Sequence, residues 1–163
     1  MGSFGSKQNE KCNKGEYLSV DPAPPLLNSK SVEQLTKELS STNLSLFLRY
    51  RVMFSLRNLN NDEAALALVS GFSDSSALFR HEIAYVLGQM QREVSIDGLE
   101  IVLRNKDEHR MVRHEAAEAL GAIGGERCTT ILQEFQSDGE LVVEESCRVA
   151  LDTIDYWSTS EFE

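Results

Sequence analysis

Proline is almost missing from this sequence, and its three copies, Pro22, Pro24 and Pro25, all fall in one short stretch. Beyond that stretch no residue interrupts a helix by removing a backbone donor. Cysteine is as scarce: Cys12, Cys128 and Cys147 are an odd number without a Cys-x-x-Cys pair. That count excludes a disulfide framework and a cysteine-built zinc site. Cys128 and Cys147 sit in apolar patterns and are expected to be small core residues. No apolar run is long enough for a membrane span, which takes about 18 residues or more, and no basic segment leads into an apolar one. The expectation is therefore a chain with no membrane partner and a cytoplasmic location. Positive charge is also in deficit, with 16 Lys and Arg against 26 Asp and Glu and a formal net charge of -10. A nucleic-acid partner requires the opposite balance. A basic protein partner suits this one.

The sequence has 163 residues, 41% of them hydrophobic and 26% charged, the balance of a single folded domain. Residues 1–30, rich in Gly, Ser, Asn and Lys and ending in the proline cluster, are expected to be a flexible tail and Pro-rich linker. A helical repeat domain is expected over 31–157, with a C-terminal tail over 158–163. Ser31 and Gln34 have capping-box spacing for a short first helix. Apolar residues recurring at three and four predict further helices at about 44–57, 61–70, 77–91, 94–104, 110–123, 126–136 and 141–155.

Internal repetition is the strongest signal. Phe79-Arg80-His81-Glu82-Ile83-Ala84 aligns with Val112-Arg113-His114-Glu115-Ala116-Ala117, 33 positions later. Fainter copies begin at Leu48-Arg49-Tyr50-Arg51 and at Val143-Glu144-Glu145-Ser146. About four units of this length make an all-α helical-hairpin solenoid, in which stacking joins the apolar stripes of successive hairpins into one core. Gly88 and Gly121 occupy equivalent places in two units. A mid-helix glycine costs about 1 kcal/mol against alanine, so close approach of neighbouring helices is the expected reason for the pair. Gly124-Gly125 reads instead as a helix stop.

His81, Glu82, His114 and Glu115 are the candidate metal-ligating residues. Equivalent helices in a stack lie roughly 10 Å apart, so His81 and His114 are within reach of one ion. A carboxylate from Glu82 or Glu115 completes a set of two imidazoles and one carboxylate with open positions, which suits non-haem iron or catalytic zinc. A second reading is a structural network in which arginine and glutamate form ion pairs between repeats. The outer repeats lack the triplet, which favours a localised site. Neither copy is a His-Glu-x-x-His zinc-protease motif, because Tyr85 and Glu118 stand at the second histidine's place. His109 reads as exposed or helix-capping, Met53, Met90 and Met111 as core or groove packing. Trp157 and Tyr85 read as core aromatics, with the concave side as the other place for Tyr85.

The stretches Tyr17-Leu18-Ser19-Val20-Asp21-Pro22-Ala23-Pro24-Pro25, Arg80-His81-Glu82 through Gln91, and Met111-Val112-Arg113-His114-Glu115 through Gly124 resemble deoxyhypusine hydroxylase, a family of HEAT-like repeat proteins. The resemblance runs from Tyr17 to Phe162. It implies a HEAT-like solenoid and a non-haem di-iron enzyme that uses O2 to hydroxylate deoxyhypusine, a modified lysine in translation initiation factor 5A. Family members have two halves joined by a linker like Tyr17 to Pro25, and each half supplies two His-Glu pairs. The resemblance thus implies a second half only, with Fe(II) at most once per chain against two per complete four-motif centre. By the same resemblance His81 and His114 ligate iron with Glu115, and Glu82, often grouped with the metal motif, is the catalytic residue turned toward the substrate amine. Little activity is expected of the isolated monomer. A homodimer, or a missing first half supplied in trans, would complete the centre. A non-catalytic HEAT-like adaptor or truncated product that holds a basic protein segment is the competing reading.

Overall fold

The computed structural model describes residues 21–159, so residues 1–20 of the tail and linker expected over 1–30, and residues 160–163 of the tail expected over 158–163, lie outside the described residues. Eight α-helices are present among them: α1 (Val32–Leu39), α2 (Leu46–Leu59), α3 (Asp62–Val69), α4 (Ala77–Met90), α5 (Ile96–Arg104), α6 (Arg110–Ile123), α7 (Gly125–Glu134) and α8 (Leu141–Ser158). Short 3-10 turns at Ser70–Ser73 and Glu93–Ser95 lead out of α3 and into α5. The chain is an all-α, HEAT-like solenoid. Helices α2, α4, α6 and α8 stack as one layer, with α4 against α6 and α6 against α8 as its broadest contacts. The short helices α1, α3, α5 and α7 form the other layer.

Local sequence sets the helix starts. Ser31 and Gln34 close a reciprocal capping box on α1, and Ser45, Asn61 and Ser76 cap α2, α3 and α4 through their side chains. His109 caps α6: its Nδ1 accepts a hydrogen bond from the Met111 amide at 3.2 Å. At the far end of α6 the chain turns at Gly124 and Gly125, with φ of +75° and +84°, values that favour glycine. The core runs between the layers. Phe54, Phe79, Leu87, Leu99, Leu120 and Leu132 are fully buried, and Cys128 and Cys147 join them. Burial pushes the thiol of Cys128 up to about 11 and that of Cys147 up to about 12, as expected of inert core cysteines. Met53 and Met90 are buried, whereas Met111 is partly exposed. Trp157 is 78% exposed, which corrects its placement in the core; it lies on the last helix, where no further repeat follows among the described residues. Tyr85 is 36% exposed, which leaves the second of its two expected places, away from the core.

Arginines tie each unit to the next. Arg49 donates from Nε to the Leu39 carbonyl at 2.7 Å and from its guanidinium to Asp74 at 2.5 Å. Arg113 repeats the pattern, donating from Nε to the Leu103 carbonyl at 2.9 Å and to both oxygens of Asp138. Arg80 pairs with Glu108 at 2.5 Å and reaches the Asp74 carbonyl at 2.6 Å. Asp138 is held well below the usual carboxylate range, first by its hydrogen bond from Arg113. The segment before α1 is fastened as well. Arg57 grips Asp21 at 2.7 Å, Arg51 donates to the Pro24 and Pro25 carbonyls, and Ala23 is buried.

Gly88 and Gly121 are where the long helices come closest. A Cβ on Gly88 would lie 3.0 Å from the Ala119 Cα, and one on Gly121 would lie 2.6 Å from the Ala150 Cβ and 2.8 Å from its Cα. Neither neighbour has a flexible end to move aside. Gly121→Ala is therefore expected to destabilise the fold by about 1–3 kcal/mol through overpacking, although alanine is the better helix former by about 1 kcal/mol. Equilibrium denaturant unfolding measures this, and an unchanged or raised midpoint contradicts the close-packing account.

Candidate metal centre

His81 is the fifth residue of α4 and His114 the fifth of α6, so stacking the two helices stacks the two rings. Their centroids lie 6.2 Å apart with planes inclined at 24°. Glu115 sits between them. Its Oε2 is 3.2 Å from His81 Nε2 and 3.5 Å from His114 Nε2. One ligand atom from each of the three residues lies within 4.8 Å of the other two. Ligands bound to one ion at about 2.1 Å sit roughly 3–3.5 Å from each other in octahedral or tetrahedral geometry. The spacing of both imidazoles from the carboxylate thus fits a shared cation. Glu115 is 7% exposed, and the histidine rings are partly open to solvent.

The carboxylate comes from the repeat after that of His81. Helices α4 and α6 each present a histidine at one position and a glutamate at the next, about 100° further round. The histidine turns toward the following helix, and the glutamate of that helix turns back to meet it. Glu115 therefore serves both rings, whereas Glu82 faces the other way, toward the preceding repeat. The structure brings together His81, His114 and Glu115 and leaves Glu82 outside that cluster. Glu82 is half-buried, and burial raises its pKa, with the negative charges of Glu115 and Asp21 acting in the same direction. Tyr50, one repeat earlier at the position of His81, has its hydroxyl pushed up to about 12 by burial and then by Glu82. His81 is shifted upward chiefly by its hydrogen bond to Glu115, against the opposing effect of burial.

Arg80 and Arg113 take no part in this cluster. Both form ion pairs between repeats, as the network reading expects of the arginines, but with the loop acids Glu108 and Asp138 and not with the glutamates of the triplets. The sequence reading missed the partner of the second ring. His114 Nδ1 lies 2.6 Å from Ser146 Oγ on α8 and 3.3 Å from Glu118 Oε1. Ser146 stands at the Glu115 position of the fainter last repeat, 31 residues on, and that register was the available signal.

A family model for the PBS lyase HEAT-like repeat matches residues 112–138. The deoxyhypusine hydroxylase of Danio rerio is 53% identical over 159 residues, covering 98% of this chain and 52% of that protein. That of Candida albicans is 51% identical over 159 residues, covering 96% and 50%. The chain is similar to half of a deoxyhypusine hydroxylase. The structure of human deoxyhypusine hydroxylase in complex with glycerol matches with a TM-score of 0.84 at 51% identity, over 87% of this chain and 49% of that one. The chain therefore spans about half the length of the curated relatives it matches. No helix among the described residues is long and apolar enough to cross a membrane.

This geometry separates the two glutamates. Glu115→Gln is expected to weaken Fe(II) binding by more than roughly 100-fold, beyond the 10–100-fold usual for a residue that only supports a ligand. Glu82→Gln is expected to leave the affinity within about threefold. Anaerobic Fe(II) titration measures both, and equal losses would contradict the separation.

Proposed function

We propose that this chain is the second half of a deoxyhypusine hydroxylase and holds one of the two Fe(II) ions of a complete centre. The observation that carries the reading is the convergence of His81, His114 and Glu115 across one repeat boundary, in a chain half-identical to these enzymes. Two neutral imidazoles and one carboxylate offset one of the ion's two charges and leave part of its coordination sphere free. Iron, when bound, supplies the redox chemistry with O2 that amino-acid side chains lack.

The chain's own groups do the positioning. Glu115 is fixed by burial between the rings, so the ligand set is organised before the ion arrives. Glu82 offers a half-buried carboxylate one repeat away, at a place suited to the cationic amine of deoxyhypusine, and is the candidate catalytic residue. Its raised pKa comes from burial, and a bound ammonium would hold it ionised. The net charge of -10 favours encounter with a basic protein such as translation initiation factor 5A, and the cytoplasm is the corresponding location. Two His-Glu pairs hold at most one ion, so the second iron comes from another copy facing this one or from a first half acting in trans.

The test is anaerobic loading with Fe(II), followed by iron-to-chain ratio, solution mass and hydroxylation of factor 5A carrying deoxyhypusine. The expected result is no more than one iron per chain and little turnover by the monomer, with activity appearing when a second set of pairs is supplied. Turnover by a monomer holding one iron would overturn the half-centre reading.

A further inference from the structure

We infer that Ser146 is a positioning residue for the cation site: its hydroxyl accepts the Nδ1 proton of His114 and so presents the bare Nε2 of that ring to Glu115 and His81. The inference rests on the cation reading above and assigns a role to a residue outside the His-Glu pairs. Ser146 is 5% exposed. Its Oγ lies 2.8 Å from the Val142 carbonyl and 2.6 Å from His114 Nδ1. A hydroxyl has one proton, and a carbonyl can only accept. Once Ser146 donates to Val142, its oxygen is left to accept from the ring. Glu118, with Oε1 at 3.3 Å from the same nitrogen, acts in the same sense, because an ionised carboxylate accepts only.

A neutral imidazole carries a single N–H, so a proton on Nδ1 leaves a lone pair on Nε2. Glu115 Oε2 lies 3.5 Å from that nitrogen. Two acceptors facing each other repel, and a cation between them satisfies both. Support of this kind, from the non-ligating ring nitrogen to a second residue, is how metal-binding histidines are commonly oriented. Repeat register explains why the supporting residue is a serine. His81 reaches across to Glu115 in the next unit, and His114 reaches across to Ser146 in the unit after it. With glutamate at position 146 the series would offer a second anionic step. The uncharged hydroxyl ends it, so a bound ion would be held by His81, His114 and Glu115 alone.

Two measurements on the full chain test this. Nitrogen-15 spectra of the metal-free protein, taken well above the imidazole titration range of about 6.5, are expected to show His114 as the Nδ1–H tautomer. Because Glu118 accepts from the same nitrogen, the serine is tested in a Glu118→Ala chain: there Ser146→Ala is expected to give a mixture of tautomers and to weaken Zn(II) binding by about 10–100-fold, while Ser146→Thr, which keeps a hydroxyl, recovers most of both. The Nε2–H tautomer in the wild-type chain would overturn the inference. So would Ser146→Ala in the Glu118→Ala chain with unchanged tautomer and unchanged Zn(II) affinity, even where the wild type binds the metal. A wild-type chain that binds no Zn(II) while His114 remains Nδ1–H would instead overturn the cation reading beneath it.

Discussion

The site exists because α4, α6 and α8 approach closely enough for short side chains to meet between them. Gly88 against Ala119, and Gly121 against Ala150, set that approach. The same faces carry the functional groups. His81 and Gly88 are seven residues apart, two helical turns, and so share a face of α4. Glu115 and Ala119 share the facing side of α6, four residues apart. The arrangement recurs one repeat later, with His114 and Gly121 on α6 opposite Ser146 and Ala150 on α8. A missing side chain at one end of each helix thus sets the reach of an imidazole at the other. Packing and chemistry are joined through helix spacing, and a bulkier residue at the contact would lengthen the 3.2 Å His81–Glu115 separation as well as strain the core.

Within each Arg-His-Glu triplet the work is divided. Arg80 and Arg113, like Arg49 before them, turn out of the site and fasten one unit to the loop acid of the next. Arg113 and Asp138 are nearly wholly buried, so loss of Asp138 would strand the guanidinium in the interior, at a cost of about 3–5 kcal/mol, whereas Asp138 without Arg113 would keep Lys106 as its partner. These pairs fix the hairpins relative to one another. The histidines and glutamates are thereby freed from structural duty, and their spacing is set by a frame they do not have to hold.

Much of this was legible in the sequence. Ala- and Leu-rich periodicity, the absence of proline past residue 25 and the 33-residue repeat are local properties, and they placed every long helix within a few residues of its observed bounds. The doubled glycine was readable because glycine within a helix is costly without a packing reason. Pairing across repeats was not readable. Spacing along one helix shows that His81 and Glu82 are adjacent, yet only the rotation between stacked helices decides that His81 meets Glu115. The acids that hold the arginines were hidden for a related reason. Glu108 lies 28 residues after its arginine and Asp138 25 after its own, since the connections between helices differ in length from repeat to repeat. Ser146 was obscured because the last repeat keeps the register but not the residue types. Trp157 was misplaced, and Tyr85 left between two places, because an aromatic residue in a helical pattern does not declare which side faces the core.

At the centre of this account stands one cation held jointly by two neighbouring repeats. X-ray absorption at the iron K-edge, recorded on the chain loaded anaerobically with Fe(II), counts the imidazoles bound to each ion through their outer-shell scattering. Two imidazoles per iron, falling to one in both His81→Ala and His114→Ala, is the predicted result. One imidazole per iron in the unaltered chain, or a count unmoved by either substitution, would contradict it.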